Sequence, residues 1–162
     1  MKLILLRHAK AEQSLTKNDF DRNLSNKGKK QCVSIAKQFE QHLSKFRLHV
    51  FCSSANRTRQ TCDRTLTNLA LTSKTYHKSL YLTGWNELLQ FITAYDHTFQ
   101  DDQCLVLVGH NFGISDLLFQ LTNEDITLKT GEAVIIDFPF DNSKLISRET
   151  GTLLKKFSPL LD

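Results

Sequence analysis

The chain has 162 residues, 40% of them hydrophobic, which is enough for one buried core and too few for two comfortable domains. We therefore expect one domain over residues 1–162. The formal net charge is +4 and the isoelectric point is near 8.9, values that suit an anionic substrate. Lysine and arginine are scattered along the chain and are not clustered with aromatic residues, which argues against nucleic-acid binding.

The cysteines and the first apolar run bear on the cellular compartment. The four cysteines lie far apart without short paired spacing, which predicts reduced, mostly buried thiols in a cytoplasmic protein: Cys32, Cys52, Cys62 and Cys104. The apolar residues 3–6 are followed by Arg7, so this run is too short for a signal sequence or a membrane span. We expect a soluble, unexported protein with no membrane partner.

The first half of the chain alternates strand and helix patterns. Residues 2–6 are predicted to form a strand, because the run is apolar from residue 3 to residue 6, as in a strand buried on both faces of a parallel sheet. Ser25 is predicted to cap a helix whose apolar residues recur at helical spacing: Cys32, Ile35, Ala36, Phe39 and Leu43. A second strand over residues 48–52, a helix over residues 56–69 and a third strand over residues 75–77 follow.

The second half continues this alternation. An amphipathic helix is predicted over residues 85–95, and the β-rich run 105–108 predicts a strand that stops at Gly109. Asn111 is predicted to cap a helix that carries Ile114, Leu117, Leu118 and Leu121. Residues 134–138 predict a last buried strand, followed by a hairpin through residues 141–142 towards residues 144–147. The order of elements predicts an α/β domain with a mostly parallel central sheet.

In such a sheet, ligands bind at the carboxyl ends of the strands, where the chain turns into a helix. Three of these junctions carry cationic or imidazole groups, namely residues 7–8, 53–57 and 109–111. Guanidinium groups match the oxygens of a phosphoryl dianion, and Arg7, Arg57 and Arg22 could supply them. Of the two histidines, His8 or His110, one would attack phosphorus as the neutral base and the other would donate to an equatorial oxygen.

Three motifs at these junctions resemble those of the histidine phosphatase superfamily, the phosphoglycerate-mutase-like fold. They are Leu-Arg-His-Ala at residues 6–9, Ser-Ser-Ala-Asn-Arg-Thr-Arg-Gln-Thr at residues 53–61, and Val-Gly-His-Asn at residues 108–111. Each motif is short, but all three occur in order at the expected junctions. Over nearly the whole chain, further residues resemble the SixA-like branch: residues 7–11, 21–25, 28, 80–82, 87–89 and 130–134. Asn23 departs from that branch, where proline is common, and affects loop stiffness only.

The resemblance implies a three-layer α/β/α sandwich and a two-step phosphatase reaction without metal or cofactor. His8 attacks phosphorus, a phosphohistidine enzyme forms, and water releases inorganic phosphate. Arg7, Arg57 and His110 complete the implied catalytic set, and Arg22, Ser53 and Asn111 are candidates for substrate binding. The branch implies a phosphohistidine-bearing protein as partner, such as a histidine phosphotransfer domain.

The resemblance also draws attention to an absent acid. Many relatives that cleave phosphate esters place a carboxylic acid after the third strand to protonate the leaving alkoxide, whereas residues 80–83 hold no carboxylate. The ring of a phosphohistidine can instead leave as neutral imidazole once its other nitrogen is protonated, so the absence favours a phosphoramidate substrate. Glu87 and Glu12 are the remaining candidates for an acid, but a carboxylate in a helix first turn and a solvated loop charge explain them more simply.

Simpler interpretations stand beside several of these predictions. Ser53 is predicted to cap the following helix rather than to touch substrate, and Arg22 could equally be a phosphate contact or a surface charge. The shared motifs also fit a phosphatase for a small phosphorylated metabolite, or an inactive module that binds phosphorylated ligands. An inactive module would have no need of the intact set Arg7, His8, Arg57 and His110. The oligomeric state and any redox role of the thiols remain open at this point.

Overall fold

The computed structural model describes residues 1–160, in which a six-stranded sheet lies between two pairs of helices. The strands are β1 (Lys2–Arg7), β2 (Arg47–Ser53), β3 (Ala70–His77), β4 (Gln103–Gly109), β5 (Ala133–Asp137) and β6 (Thr152–Phe157). The helices are α1 (Asn26–Leu43), α2 (Asn56–Thr65), α3 (Trp85–Ala94) and α4 (Gly113–Thr122). Short 3-10 helices cover Asp19–Asp21, Lys78–Leu80 and Ser143–Leu145. Within residues 1–160, no helix is long and apolar enough to cross a membrane.

The strand order is β3-β2-β4-β1-β5-β6. The first four strands of this order are parallel, whereas β5 runs antiparallel to β1 and β6 runs antiparallel to β5. The predicted α/β fold with a mostly parallel sheet is confirmed. Because β1, β2 and β4 are parallel neighbours, the chain leaves all three at the same edge of the sheet.

Strand β1 shows how the apolar run builds both halves of the core. Leu3 and Leu5 point into the layer under α3 and α4, and Ile4 and Leu6 point into the layer under α1 and α2. All four side chains are fully buried, and burying one such side chain contributes about 1.5–3 kcal/mol. The absence of polar alternation in residues 3–6 therefore reflects burial on both faces.

Of the three predicted helix N-caps, only one is found in the structure. Ser25 caps α1 as predicted, with its Oγ accepting a hydrogen bond from the Gly28 amide at 3.1 Å. Asn111 does not cap α4, because that helix begins after Phe112 and its N-cap has no side-chain hydrogen bond. Ser53 does not cap α2 either, since Ala55 holds that position.

Other boundaries also differ. Helix α2 ends at Thr65 instead of residue 69, because the buried Leu66 leaves helical geometry. Strand β3 covers Ala70–His77, far more than residues 75–77, because it is held by backbone pairing with β2 while most of its side chains are exposed. The hairpin predicted towards residues 144–147 is wrong, because Asn142 accepts from the Lys144 amide at 2.8 Å and starts a 3-10 turn. The return strand is β6.

Candidate active site

The sheet register brings the three sequence motifs to one place. Arg7 at the end of β1 lies opposite Gly109 of β4, and the His8 amide donates to the Gly109 carbonyl at 3.1 Å. On the other side of β4, Cys52 of β2 pairs with Val108. His8, Ser53 and His110 therefore lie at the carboxyl ends of adjacent strands, at the same sheet edge.

His8 is nine-tenths buried and is held in one tautomer. Its Nδ1 lies 2.8 Å from the Ala9 carbonyl, which only accepts, so Nδ1 carries the proton. Its Nε2 accepts a hydrogen bond from Arg57 Nε at 3.3 Å. Burial lowers the pKa of His8 to about 3, against the hydrogen bond to Ala9, and the neighbouring Arg57 and Arg7 lower it further. The ring is thus neutral, with an unprotonated Nε2 beside a guanidinium.

Arg57, in the first turn of α2, is only 2% exposed and joins the groups of the site. Its Nε reaches His8, and its Nη2 lies 3.4 Å from His110 Nδ1 and 2.8 Å from Asp19 Oδ2. Its Nη1 donates to the Asp19 carbonyl at 2.6 Å. These contacts hold the buried guanidinium in one orientation, and an oxyanion would bind it by taking the place of one or more of them.

His110 faces the same guanidinium from β4. Its Nδ1 accepts from Arg57, so its proton is on Nε2, which lies 2.8 Å from Ser53 Oγ. Burial lowers the pKa of His110 to about 3, and His8 and Arg57 lower it further. The fully buried Ser53 therefore serves as the partner of His110 in place of the predicted helix cap. Because a hydroxyl rotates, Ser53 can also donate to Nε2 and leave the His110 proton on Nδ1, facing an oxyanion.

Arg7 and Asn111 share a backbone partner at the side of the site. Arg7 Nη1 donates to the Leu128 carbonyl at 2.7 Å, and Asn111 Nδ2 donates to the same oxygen at 2.9 Å. Arg7 Nε is buried and has no hydrogen-bond partner in the described residues. Burial lowers the pKa of Arg7, while Glu132 raises it. Arg7 thus keeps an unused donor, whereas the Asn111 side chain is occupied by Leu128 and by Ser115, whose Oγ donates to Asn111 Oδ1.

Asp19 is a residue of the site that sequence reasoning missed. It lies in the 3-10 helix Asp19–Asp21, and its Oδ2 accepts from Arg57 and from the Tyr81 hydroxyl. Its Oδ1 accepts from both Nε and Nη2 of Arg22. Although burial raises the pKa of Asp19, the hydrogen bonds from Tyr81, Arg22 and Arg57 outweigh it and hold the pKa well below its usual range. The only local signal was the spacing of three residues to Arg22.

The predicted substrate contact Arg22 is thereby engaged by protein groups. Besides Asp19, its Nη1 donates to the Glu12 carbonyl at 3.0 Å. Its charge nevertheless contributes to the low pKa of His8. Arg22 therefore acts on the site through charge and through Asp19.

The two carboxylates considered as acids lie apart from these contacts. Glu12 Oε1 binds Lys17 Nζ at 2.6 Å and accepts from the Asn23 amide, and Lys17 is the main cause of its lowered pKa. Glu87 is exposed in the first turn of α3, with its carboxylate folded over Gly84. Neither has a hydrogen bond to His8, Arg57 or His110 within residues 1–160.

The comparison with protein families agrees with this geometry. The family model of the histidine phosphatase superfamily (branch 1) matches residues 3–80. This match places residues 3–80 in the histidine phosphatase superfamily. The matched residues hold β1, β2 and α2, and with them Arg7, His8, Ser53 and Arg57. His110 lies outside the matched residues, and the fold brings it into contact with Arg57 and Ser53.

Solved structures show the same fold over nearly the whole chain. A candidate phosphohistidine phosphatase SixA from Nakamurella multipartitia has a TM-score of 0.82 at 23% identity, covering 99% of this chain and 96% of that chain. The protein histidine phosphatase SixA in complex with tungstate has a TM-score of 0.79 at 18% identity, covering 98% and 97%. A candidate α-ribazole-5'-P phosphatase from Escherichia coli K-12 has a TM-score of 0.66 at 18% identity, covering 91% and 99%. No curated protein matches the sequence.

Proposed function

We propose that this chain is a phosphatase that transfers a phosphoryl group to His8 and then to water, and that its substrate is phosphohistidine in a protein. The observation that carries this proposal is the state of His8. A neutral ring with its proton fixed on Nδ1 leaves Nε2 unprotonated, and its lone pair, which accepts from Nε of the buried Arg57 in the empty site, would be available to phosphorus once a phosphoryl group takes over that donor. This is what a nucleophile for phosphorus needs.

The cations around His8 match the charge of the substrate. Arg57 and the free Nε donor of Arg7 would bind phosphoryl oxygens, and His110 would donate from Nδ1 once Ser53 donates to its Nε2. Fixed donors of this kind stabilise the charge on the equatorial oxygens during in-line transfer. Arg7, Arg57 and His110 thus have stabilising roles in the proposal, and His8 is the nucleophile.

The lack of a proton donor for the leaving group among residues 1–160 supports a phosphoramidate as the substrate. No carboxylic acid within the described residues stands ready to protonate a leaving alkoxide: Asp19 is held ionised, and Glu12 and Glu87 are engaged elsewhere or exposed. In phosphohistidine with a protonated ring, His8 Nε2 forms a bond to phosphorus while the P–N bond breaks, and the imidazole leaves neutral. Water then forms the new P–O bond, the P–Nε2 bond breaks, and dihydrogen phosphate leaves with both protons of the water.

The rim of the site supports a protein substrate. Phe112, two residues after His110, is 73% exposed, and Leu82, next to Tyr81, is 54% exposed. Large apolar side chains that are exposed near a site are typical of protein contact surfaces. The SixA structure in complex with tungstate, which has the same fold, is named a protein histidine phosphatase. A small-metabolite phosphatase is the second candidate, favoured by the fold shared with the Escherichia coli protein described as acting on α-ribazole-5'-phosphate.

A substrate panel tests the proposal. We would measure phosphate release from a phosphohistidine-bearing phosphotransfer domain, from a sugar phosphate and from 4-nitrophenyl phosphate. We expect preferential turnover of phosphohistidine, and a loss of at least about 1,000-fold in kcat/KM for His8→Asn. His42→Asn, at an exposed histidine of α1, is the matched control and should retain full activity.

Each other outcome has a definite meaning. Preferential turnover of the sugar phosphate would replace the phosphohistidine assignment with the metabolite assignment. Binding of phosphate without turnover of any substrate would identify an inactive module. Equal activity of His8→Asn and wild type would remove His8 as the nucleophile.

A further inference from the structure

Asp19 is the acidic group among the cations of the site, and its two oxygens are fully used. Oδ1 accepts two hydrogen bonds from Arg22, and Oδ2 accepts one from Arg57 and one from Tyr81. Its side chain is 44% exposed, whereas the Arg57 side chain that it binds is 3% exposed. The carboxylate therefore stands at the mouth of the site while it contacts the buried guanidinium.

We propose that Asp19 determines specificity by accepting a hydrogen bond from the ring N–H of the departing histidine. This inference rests on the proposed function, because it concerns the leaving group of a phosphohistidine. Asp19 would not donate a proton, since three donors keep it ionised. It would instead stabilise the proton that the substrate ring must already carry to leave as neutral imidazole.

Arg57 and Asp19 allow this contact by exchanging partners. In the empty site, Arg57 Nη2 donates to Asp19 Oδ2 at 2.8 Å. A bound phosphoryl group offers stronger acceptors to the same nitrogen, because it is a dianion and is placed against the buried end of Arg57. Once Arg57 donates to the phosphoryl group, Oδ2 has a free acceptor position, while Arg22 and Tyr81 still hold the carboxylate.

Asp19 and His8 contact different ends of the same guanidinium. In an in-line transfer the leaving nitrogen lies across phosphorus from His8 Nε2. Arg57 donates from Nε to His8 and from its two terminal nitrogens to Asp19, so a phosphoryl group that takes over these donors would lie between His8 and Asp19. The ring of Tyr81 lies 5.8 Å from the guanidinium carbon and packs edge-on against Phe20, so an aromatic wall borders the same side.

The reaction balances without an added acid. His8 Nε2 forms a bond to phosphorus while the P–N bond of the substrate breaks. The protonated ring of the substrate takes the electron pair of the broken bond and departs as neutral imidazole, with its N–H donating to Asp19. An aryl phosphate leaves as a phenolate, which has no N–H to offer. Asp19 should therefore help the first substrate and leave the second unaided.

The test compares Asp19→Asn with Asp21→Asn, which lies in the same 3-10 helix and whose carboxylate has no hydrogen bond among the described residues. We would measure kcat/KM for the phosphohistidine-bearing domain and for 4-nitrophenyl phosphate. In Asp19→Asn we expect kcat/KM for phosphohistidine to fall about 10- to 100-fold, the loss typical of a hydrogen bond to a charged group. The value for the aryl phosphate should fall at least about tenfold less, because only the positioning of Arg57 is then affected, and Asp21→Asn should match wild type on both substrates.

An equal loss on both substrates would overturn the proposal, since it would show that Asp19 only positions Arg57. A second readout uses the wild type alone: kcat/KM for phosphohistidine should fall at alkaline pH as the substrate ring loses its proton, and that for the aryl phosphate should not show this limb. The proposal would also be overturned if kcat/KM fell over the same alkaline pH range for both substrates. Failure of the proposed function is distinct, because wild type would then not turn over phosphohistidine at all.

Discussion

His8 and His110 are neutral because the fold excludes water from both rings. Burial is the main cause that lowers each pKa to about 3, and the adjacent guanidinium groups act in the same direction. In an unfolded chain both rings have a pKa near 6.5. Between these values the unfolded chain binds protons that the folded chain does not, so the stability that depends on neutral rings is present above pH 6.5 and is lost as the pH falls towards 3.

This difference predicts a marked loss of stability in acid. From pH 7.5 to pH 5 the free energy of unfolding should fall by about 2 kcal/mol for each of the two rings. Urea unfolding followed by circular dichroism at both pH values measures this fall. In His8→Asn the fall should be smaller by about the contribution of one ring, and in His42→Asn, at an exposed position, it should equal that of wild type. An unchanged fall in His8→Asn would mean that His8 is not held neutral.

The sequence predicted which residues of the strand ends come together, but it did not predict their partners. His8, Arg57 and His110 follow from the rule that ligands bind at the carboxyl ends of parallel strands. Asp19 lies in an irregular segment, and its contacts with Arg57 and Tyr81 span 38 and 62 residues of chain. Such contacts depend on how the segment folds over the sheet, which no local pattern encodes.

At the scale of elements, α1 packs closely against the segment after β1 because α1 has a glycine, Gly28, at the point of contact. A Cβ at Gly28 would lie 2.1 Å from the Lys10 carbonyl oxygen, which itself accepts from the Ser25 amide and hydroxyl. The neighbour is backbone and is tied at several points, so it cannot move alone. Gly28 thus fixes the distance between α1 and the segment that follows His8.

We therefore predict that Gly28→Ala destabilises the fold by about 1–3 kcal/mol, the usual cost of overpacking. Gly84→Ala is the control, because its Cβ would meet only the flexible end of the Glu87 side chain at 2.9 Å. The control should stay within about 1 kcal/mol of wild type, since alanine also restricts the unfolded chain. The free energy of unfolding in urea is to be measured for wild type, Gly28→Ala and Gly84→Ala. Equal stability of Gly28→Ala and wild type would contradict the close packing at Gly28.

Helices and strands were predictable from the sequence where their side chains are buried, because burial requires a regular pattern of apolar residues. Strand β4 is a continuous apolar run and was predicted closely, and the Ser25 cap of α1 was also predicted. Strands β3 and β6 have largely exposed side chains, so backbone pairing holds them and their residue pattern is weak. The missed hairpin has the same origin, because residues that suit a turn also start the 3-10 helix Ser143–Leu145.

At the scale of the whole molecule, the four cysteines lie on one side of the sheet or in the helices that cover it. All are buried, as predicted, and none is in a disulfide: Cys32 in α1, Cys52 in β2, Cys62 in α2 and Cys104 in β4. Burial raises the pKa of Cys32 to about 11 and that of Cys104 to about 12, and it also raises the pKa of Cys52. Since the thiolate is the reactive form, these thiols should be inert in the folded protein.

Thiol labelling should therefore report global unfolding. With a disulfide reagent such as 5,5'-dithiobis(2-nitrobenzoate), we expect no rapid labelling of the native protein, and labelling of all four thiols over the same urea range in which the circular dichroism signal is lost. Val33→Cys is the matched control, because Val33 is 56% exposed and adjoins Cys32 on the opposite face of α1. Its single added thiol should react at once while Cys32 stays protected. A native thiol that reacted as fast as this control would show an opening smaller than global unfolding, and would make that cysteine the first place to look for redox control of the protein.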